Sequence, residues 1–222
     1  MEIAQTLDRG LRVLEILAEA GDGLSVTEVA AALEVHRSIA ARLLATLLNR
    51  GYVRRHRDGG YTLGTTLLSL ARDVSNDLLL AATPLMSEVA ERSGLTAVLH
   101  VADQDDVVAV ASIEPRQAAY RVGVRPGTRH PLHVGASGLA ILAGRGSVPG
   151  ERREVALGRE RGYVVTTSEL VPSFTGVAAP VLINGWADAS AGLIVPADGG
   201  HDQDVLGREV LELTARISRS LR

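Results

Sequence analysis

The hydrophobic pattern of the first 64 residues predicts three short helices. Apolar residues recur every three or four positions over about 6–19 and again over 36–50, so each segment has one apolar face. Between these segments, Ser25 and Glu28 have the spacing of a capping box, which begins a second helix over about 25–33. Three helices in this order are typical of the helical part of a helix-turn-helix domain.

A β-hairpin follows the third helix. Runs of β-prone residues at 52–57 and 61–63 flank Asp58-Gly59-Gly60, and an Asp-Gly step between such runs is a strong hairpin signal. Three helices and a hairpin make a winged helix-turn-helix domain, which we place over residues 1–64. Residues 65–76 are again helical and too apolar for a solvated linker, so we expect this linker helix to pack on a second subunit.

From residue 77 the pattern changes to an alternation of helices and strands, which predicts an α+β domain over 77–222. Pro84 opens the first helix, and Asn184-Gly185 turns one strand back onto the next. The predicted helices are 84–93, 135–143, the charged run that ends at Arg161, and an amphipathic helix from Asp204. The predicted strands are 96–102, 107–114, 119–124, 163–165, 177–183 and 189–195.

Composition excludes several classes of protein. The chain has 222 residues, 46% of them hydrophobic, which is enough apolar side chain to bury a core. It has no cysteine, which excludes disulfides, thiolate metal sites, iron–sulfur clusters and a cysteine nucleophile. There is no N-terminal signal pattern and no apolar stretch near the roughly 20 residues that span a bilayer. We therefore expect a cytoplasmic protein with no membrane partner.

The net charge of −3 conceals a local cluster of basic residues. Residues 35–57 contain six arginines and no aspartate or glutamate. In a winged helix-turn-helix these are the parts that meet DNA, with the third helix in the major groove and the hairpin on the backbone. Ser25 serves mainly as a helix cap and adds a phosphate contact. The predicted DNA-binding residues are Ser25, His36, Arg37, Ser38, Ala41, Arg42, Arg54, Arg55 and Arg57.

Two further motifs carry little chemistry. His130 and His133 are three residues apart, but no third ligand is placed nearby, so we expect no metal and no cofactor. Ser137 lies in Gly-Ala-Ser-Gly-Leu, which misses the nucleophile elbow by one position, and no His/Asp pair is placed to activate it. We therefore expect no enzyme. One alternative is a hydrolase or other enzyme built on the C-terminal domain. It predicts an enzymatic turnover that Ser137→Ala abolishes.

Segments along nearly the whole chain resemble IclR-type transcriptional regulators. In the first domain the resemblance is carried by 7–14, 24–47, 50–53 and 61–64. In the second it is carried by Val122-Gly123 to Pro131-Leu132-His133, Gly135-Ala136-Ser137-Gly138, Arg161-Gly162-Tyr163-Val164 with Glu169, and Val177-Ala178-Ala179-Pro180-Val181.

The resemblance implies a sequence-specific regulator of transcription with a GAF-like α+β effector domain built on a curved antiparallel sheet. It implies a homodimer or a dimer of dimers, double-stranded operator DNA with a palindromic site, and a small-molecule effector that shifts the DNA-bound population. Repression and activation stay equally open. A second alternative is a ligand-binding protein that oligomerises but has lost DNA specificity, and its mark is weak, sequence-indifferent association with DNA.

The resemblance also places an effector pocket, and this chain departs from the family there. Gly135, Thr166, Gly176 and Ile194 stand where the family commonly has polar groups, so several carboxylate-binding groups are missing. This difference favours a smaller, more apolar effector over a dicarboxylate, or a pocket that has degenerated. The predicted effector-binding residues are Leu99, Val110, Tyr120, Val122, Gly135, Ala136, Ser137, Thr166, Gly176 and Ile194.

Overall fold

The computed structural model describes residues 3–71, 76–117 and 122–221. The chain divides into two compact units, Met1–Ser75 and Asn76–Arg222. No described helix is long and apolar enough to cross a membrane. Residues 72–75 of the predicted linker helix lie outside the described residues. The predicted domain boundaries and the linker role of 65–76 therefore stay predictions.

The first unit has the predicted winged helix-turn-helix fold. Its strands β1 and β2 pair antiparallel, with Val53 opposite Leu63 and Arg55 opposite Tyr61. Buried apolar side chains from all three predicted helices and the hairpin, among them Val13, form one core. The elements are α1 (Gln5–Ala20), α2 (Val26–Ala32), α3 (Arg37–Asn49), β1 (Val53–Arg55), β2 (Tyr61–Leu63) and α4 (Thr66–Ala71).

Local contacts fix both the start of α2 and the short turn between α2 and α3. The capping box predicted at Ser25 is complete, because the Ser25 hydroxyl accepts from the Glu28 amide and the Glu28 carboxylate accepts from the Ser25 amide. Glu34 takes a left-handed conformation with φ 55° and reverses the chain before His36 caps α3. These local features set the start of α3, the helix whose first turn we expected to approach DNA.

The second unit is α+β, as predicted. Among the described residues, six strands form one sheet in the order β5-β4-β3-β8-β7-β6, and every described pair is antiparallel. The strands are β3 (Thr96–Asp103), β4 (Asp106–Ile113), β5 (Arg129–Pro131), β6 (Val164–Thr167), β7 (Phe174–Ile183) and β8 (Trp186–Pro196). The helices are α5 (Asn76–Ser93), α6 (Gly135–Ala143), α7 (Arg153–Arg161) and α8 (Gln203–Ser220).

The two faces of this sheet are covered by different helices. Helices α5 and α8 pack on one face, where Leu99 and Leu213 belong to the large apolar core. Helix α6 packs on the other face, where Ala136, Ala140 and Ala178 meet in a smaller cluster. Small side chains on both sides let α6 lie close to the strands.

One predicted helix start was wrong, and one predicted strand is tested over only half of its length. Helix α5 begins at Asn76, and Pro84 lies inside it instead of opening it. Ala82 and Met86, on either side of the proline, are fully buried, and burial of this apolar face outweighs one lost backbone hydrogen bond. The predicted strand 119–124 is not seen where the chain is described, since 122–124 are not in a strand and 118–121 lie outside the described residues.

An edge strand was missed instead. Strand β5 pairs with the end of β4, with His130 opposite Val107. Its sequence, Arg-His-Pro, has no apolar alternation, and Pro131 lacks the amide hydrogen that an interior strand donates. A proline fits this strand because it lies at the edge of the sheet.

We predict that Ser25→Ala loosens the first unit without unfolding it. Loss of an N-cap hydroxyl costs about 1 kcal/mol, so the amides of α2 and α3 should open more readily by that amount. Hydrogen exchange followed by mass spectrometry measures this change. Thr27→Ala, an exposed position in the same helix, is the control and should leave protection nearly unchanged. Equal exchange in Ser25→Ala and the unaltered chain would contradict the role of the cap.

Candidate DNA-binding surface and ligand cavity

The first turn of α3 presents a continuous exposed face. His36, Arg37, Ser38, Ala41 and Arg42 are all exposed, whereas the opposite face of the helix is buried in the core. The His36 ring caps the helix, because its Nδ1 atom accepts from the Ser38 amide at 3.3 Å and lies 2.9 Å from the Ser38 hydroxyl. The structure therefore brings these five predicted residues together on one surface.

The hairpin adds three more arginines. Arg54 donates through Nε to the Thr62 hydroxyl at 3.0 Å, and the Arg55 guanidinium lies 5.6 Å from the centre of the Tyr61 ring. Arg57 is exposed near the tip. Within the described part of the chain, none of the six arginines of 35–57 forms an ion pair with a carboxylate, so their positive charge is not neutralised locally.

Ser25 differs from the other predicted DNA-binding residues. It is half-buried, and its hydroxyl is already used by the capping box, while Glu28 has its pKa lowered mainly by the Ser25 amide that it accepts from. The structure thus shows the capping role. The phosphate contact stays a prediction.

A cavity of about 280 Å³ lies between the sheet, the start of α6 and the loop 168–173. Five predicted effector-binding residues line it: Ala136, Ser137, Thr166, Gly176 and Ile194. The complete wall is Val98, His100, Val124, Thr128, Arg129, His130, Ala136, Ser137, Thr166, Glu169, Leu170, Val171, Phe174, Gly176, Val177, Ala178, Gly192, Leu193 and Ile194.

The other predicted effector-binding residues are placed elsewhere. Leu99 is fully buried in the core against α5 and α8, and Val110 packs against the same core beside a β-bulge at Leu99/His100. Val122 is not part of the wall, Gly135 lies beside it, and Tyr120 lies outside the described residues. Leu99 departs from the expectation because successive residues of a strand face opposite sides, so Val98 and His100 line the cavity.

Sequence reasoning missed the two histidines of the wall. His100 interrupts an otherwise apolar strand, a signal that a polar side chain faces something other than the core. His130 was considered only as a metal ligand with His133. In the part of the chain that is described, no three His, Asp or Glu side chains are grouped to hold a metal ion.

The charged groups of the wall are already paired. Glu169 accepts the Gly135 amide at 2.7 Å and bonds Arg152 at 2.7 Å, and Arg152 holds the pKa of Glu169 below its usual value. Arg152 also donates to the His133 carbonyl at 3.0 Å. Arg129 pairs with Asp103 and lies 3.6 Å from Asp106. The cavity is therefore apolar, with charges that neutralise each other at its edge.

The two histidines leave ring nitrogens without partners. Their ring centres are 5.6 Å apart in an edge-to-face arrangement. Among the described residues, neither Nδ1 of His100 nor Nε2 of His130 has a hydrogen-bond partner, although both atoms are buried. Burial, with a smaller contribution from His130, lowers the pKa of His100 to about 4. His100 is thus uncharged at neutral pH.

Ser137 and Thr166 add two buried hydroxyl groups to the wall. In the described part of the chain, Ser137 makes no hydrogen bond to a histidine or a carboxylate that would activate it as a nucleophile. These hydroxyls are polar points in an apolar wall, the usual composition of a site for a small molecule.

The first unit is a winged helix-turn-helix whose arginines at 35–57 have no carboxylate partner among the described residues, and the α+β unit holds an apolar cavity. This combination defines the class of regulators that join a DNA-binding domain to a ligand-binding domain. Two family models agree. The IclR helix-turn-helix domain matches residues 6–57, and the bacterial transcriptional regulator IclR C-terminal domain matches residues 73–148. The chain belongs to the IclR family of bacterial transcriptional regulators, and the resemblance seen in the sequence is confirmed.

Curated relatives are about 30% identical to this chain over the aligned residues. The transcriptional repressor IclR of Escherichia coli is 31% identical over 144 residues, which cover 63% of this chain and 52% of the repressor. The regulator BhcR of Paracoccus denitrificans is 29% identical over 216 residues, which cover 86% of this chain and 76% of BhcR. The chain therefore spans about half the length of the Escherichia coli repressor.

Solved structures show the same fold. An IclR transcriptional regulator from Alicyclobacillus acidocaldarius superposes with a TM-score of 0.83 at 24% identity and covers 100% of both chains. An IclR homolog from Microbacterium hydrocarbonoxydans, solved in complex with 4-hydroxybenzoate, superposes with a TM-score of 0.85 at 23% identity and covers 98% of this chain and 99% of that one.

We predict that acid destabilises the second unit partly through His100. Its pKa is about 4 in the fold and 6.5 in an unfolded chain, so the unfolded state takes up a proton first as the pH falls. The contribution of neutral His100 is complete above pH 6.5 and is lost between pH 6.5 and 4. At 1.36 kcal/mol per pKa unit, this loss is about 3 kcal/mol.

Urea unfolding followed by the fluorescence of Trp186, the single tryptophan, measures this loss. His100→Asn keeps a polar group of similar size but does not titrate, so its unfolding free energy should fall less between pH 7 and pH 4. Parallel pH profiles of the variant and the unaltered chain would show that His100 does not titrate as described.

Proposed function

We propose that this protein is a sequence-specific DNA-binding regulator of transcription whose α+β unit binds a small, largely apolar molecule and thereby changes the affinity for DNA. The observation that carries the proposal is the set of six arginines between residues 35 and 57, which have no carboxylate partner among the described residues. Such a charge pattern on a helix-turn-helix matches the phosphate backbone of a duplex.

In this proposal α3 enters the major groove. Arg37, Ser38 and Arg42 read base edges, because arginine forks match guanine and a serine hydroxyl accepts or donates. His36 and Ala41 lie on the same exposed face and contact the groove walls. Arg54, Arg55 and Arg57 contact phosphates, and Ser25 adds a phosphate contact from the start of α2.

The ligand site in this proposal is the cavity beneath α6. Its sequence-predicted part is formed by Ala136, Ser137, Thr166, Gly176 and Ile194, and its volume of about 280 Å³ suits a small molecule. The Microbacterium relative binds 4-hydroxybenzoate, which supports ligand sensing by this domain. We infer that this chain senses a small molecule of the same size range, and that the ligand acts through different affinities for two states of the protein.

We further propose a homodimer or a dimer of dimers in the bacterial cytoplasm, without catalytic activity. A groove on the first unit, lined by side chains of α1, α3 and α4 that include Leu7, Leu11 and Leu70, is almost entirely apolar. Leu7 and Leu70 are more than half exposed, and a second copy that covers them brings two reading helices into a two-fold arrangement. This arrangement matches a palindromic operator.

Selection of bound fragments from a random duplex pool tests the proposal. We expect enrichment of a palindromic site, bound about a thousand-fold more tightly than random DNA when measured by fluorescence anisotropy at several salt concentrations. Enrichment of no sequence, with binding that responds only to salt, would contradict sequence-specific regulation.

Two arginine variants separate backbone contact from base reading. Arg57→Ala should weaken binding to all sequences alike and reduce the slope of log affinity against log salt by about one. Arg37→Ala should instead change the preferred base pair at one position in each half-site, at a cost of about 1–3 kcal/mol for the original site.

Arg153→Ala is the matched control, because Arg153 is an exposed arginine on α7 in the other unit. Anisotropy titrations on the selected operator and on single-base variants distinguish the three proteins. If Arg57→Ala and Arg37→Ala both bind like Arg153→Ala, the proposed surface is wrong.

A further inference from the structure

The first amide of α6 is not free to bind an anion in this protein. The first amides of a helix lack partners within the helix and attract carboxylates. Here the Gly135 amide already donates to the Glu169 carboxylate at 2.7 Å, and Arg152 bonds the same carboxylate. A ligand carboxylate at this place meets a negative charge that belongs to the protein itself.

The remaining cation of the wall is also occupied. Arg129 pairs with Asp103 and lies 3.6 Å from Asp106, so its charge faces two carboxylates on β3 and β4. The described wall thus contains no cation without an acidic partner. An anion that enters the cavity loses its hydration and gains no opposite charge in return.

Whereas the charged groups of the wall disfavour an anion, His130 favours a ligand that donates a hydrogen bond. Its Nδ1 atom lies 3.1 Å from the Pro131 carbonyl oxygen, which only accepts, so Nδ1 is the donor in this contact. Its Nε2 atom is then a bare acceptor, buried and without a partner among the described residues. A ligand hydroxyl that donates to Nε2 satisfies this atom, whereas a carboxylate or ether oxygen meets its lone pair.

His100 supports the same preference. It lines the cavity next to His130, is only 5% exposed, and its Nδ1 atom is likewise unpartnered within the described residues. Because His100 is neutral at physiological pH, its ring has one donor and one acceptor nitrogen, which suits a hydroxyl group that both donates and accepts. It has no positive charge that would attract an anion.

We propose that the cavity selects an uncharged molecule that carries a hydroxyl group, an alcohol or a phenol, which donates to His130 Nε2, and that Glu169 at the start of α6 excludes carboxylates. This inference rests on the proposed ligand-sensing function and specifies the ligand class of the same site.

Calorimetric titration of the full chain at pH 7.5 with three probes of similar shape tests the inference. The probes are 4-methylphenol, 4-methylanisole, which lacks the donor, and 4-methylbenzoate, which carries the charge. We expect 4-methylphenol to bind at least about tenfold more tightly than either of the others, the ratio expected for one buried hydrogen bond. Equal binding of phenol and anisole, tighter binding of the benzoate, or no heat from 4-methylphenol at millimolar concentration overturns the inference.

Variants locate the preference. His130→Phe should reduce the affinity for 4-methylphenol to that for 4-methylanisole, whereas the matched control His133→Phe, at an exposed position outside the wall, should leave it unchanged. Glu169→Gln should raise the affinity for 4-methylbenzoate about tenfold, because it removes the negative charge that faces a ligand carboxylate, while Arg152 keeps its ion pair with Glu154. If His130→Phe does not fold, two tests remain. They are the three probes on the unaltered chain and the increase in affinity for 4-methylbenzoate in Glu169→Gln.

Operator binding distinguishes a failure of the proposed function from a failure of the proposed ligand class. A chain that prefers 4-methylphenol but binds no specific DNA refutes the proposed function and keeps the ligand class. A chain that binds its operator but prefers the benzoate refutes the ligand class alone.

Discussion

The alternation of side chains across the six-stranded sheet determines both the core and the cavity of the second unit. Successive residues of a strand face opposite sides, so each central strand contributes side chains both to the core and to the cavity face. Leu99, Ala179 and Val195 face α5 and α8 and are nearly or fully buried there. Their neighbours on the same strands face α6, and a register slip of one residue would exchange the two sets.

Two glycines on the face of the sheet that α6 covers leave space in the cavity. A side chain at Gly192 would collide with the backbone of β7, and one at Gly176 would press on Ala136 of α6. Gly192 therefore lets β8 lie against β7, and Gly176 lets α6 approach the sheet. The loop 168–173 then closes one side, held by the contacts of Glu169 with Gly135 and Arg152. The same contacts that shape the cavity also neutralise its rim, which connects its geometry to the ligand class that it accepts.

Local sequence signals predicted most of the fold. The capping box at Ser25, the hairpin at 58–60 and the two-residue turn at Asn184-Gly185 each depend on residues close together in sequence, and the structure confirms all three. Asn184 and Gly185 both have positive φ, as a tight turn that matches the twist of a β-hairpin requires. Periodicity of 3.6 residues likewise placed the helices that have one apolar face.

The misses have non-local causes. The helical conformation at Pro84 is stabilised by tertiary burial, and the edge strand at Arg129–Pro131 has no pattern of its own. Alternation in β3 shows that Leu99 and His100 face opposite sides, but it does not show which side holds the cavity. The bond between Glu169 and Gly135 joins residues 34 positions apart, so it was not visible in the sequence.

In the proposed function, occupation of the cavity changes the affinity for DNA. The most direct measurement is the dissociation constant for the selected operator with and without saturating 4-methylphenol, in the unaltered chain and in His130→Phe. We expect the dissociation constant to change at least about fivefold in the unaltered chain and not at all in the variant. An operator affinity that stays the same while calorimetry shows the phenol bound would contradict the coupling of the two units.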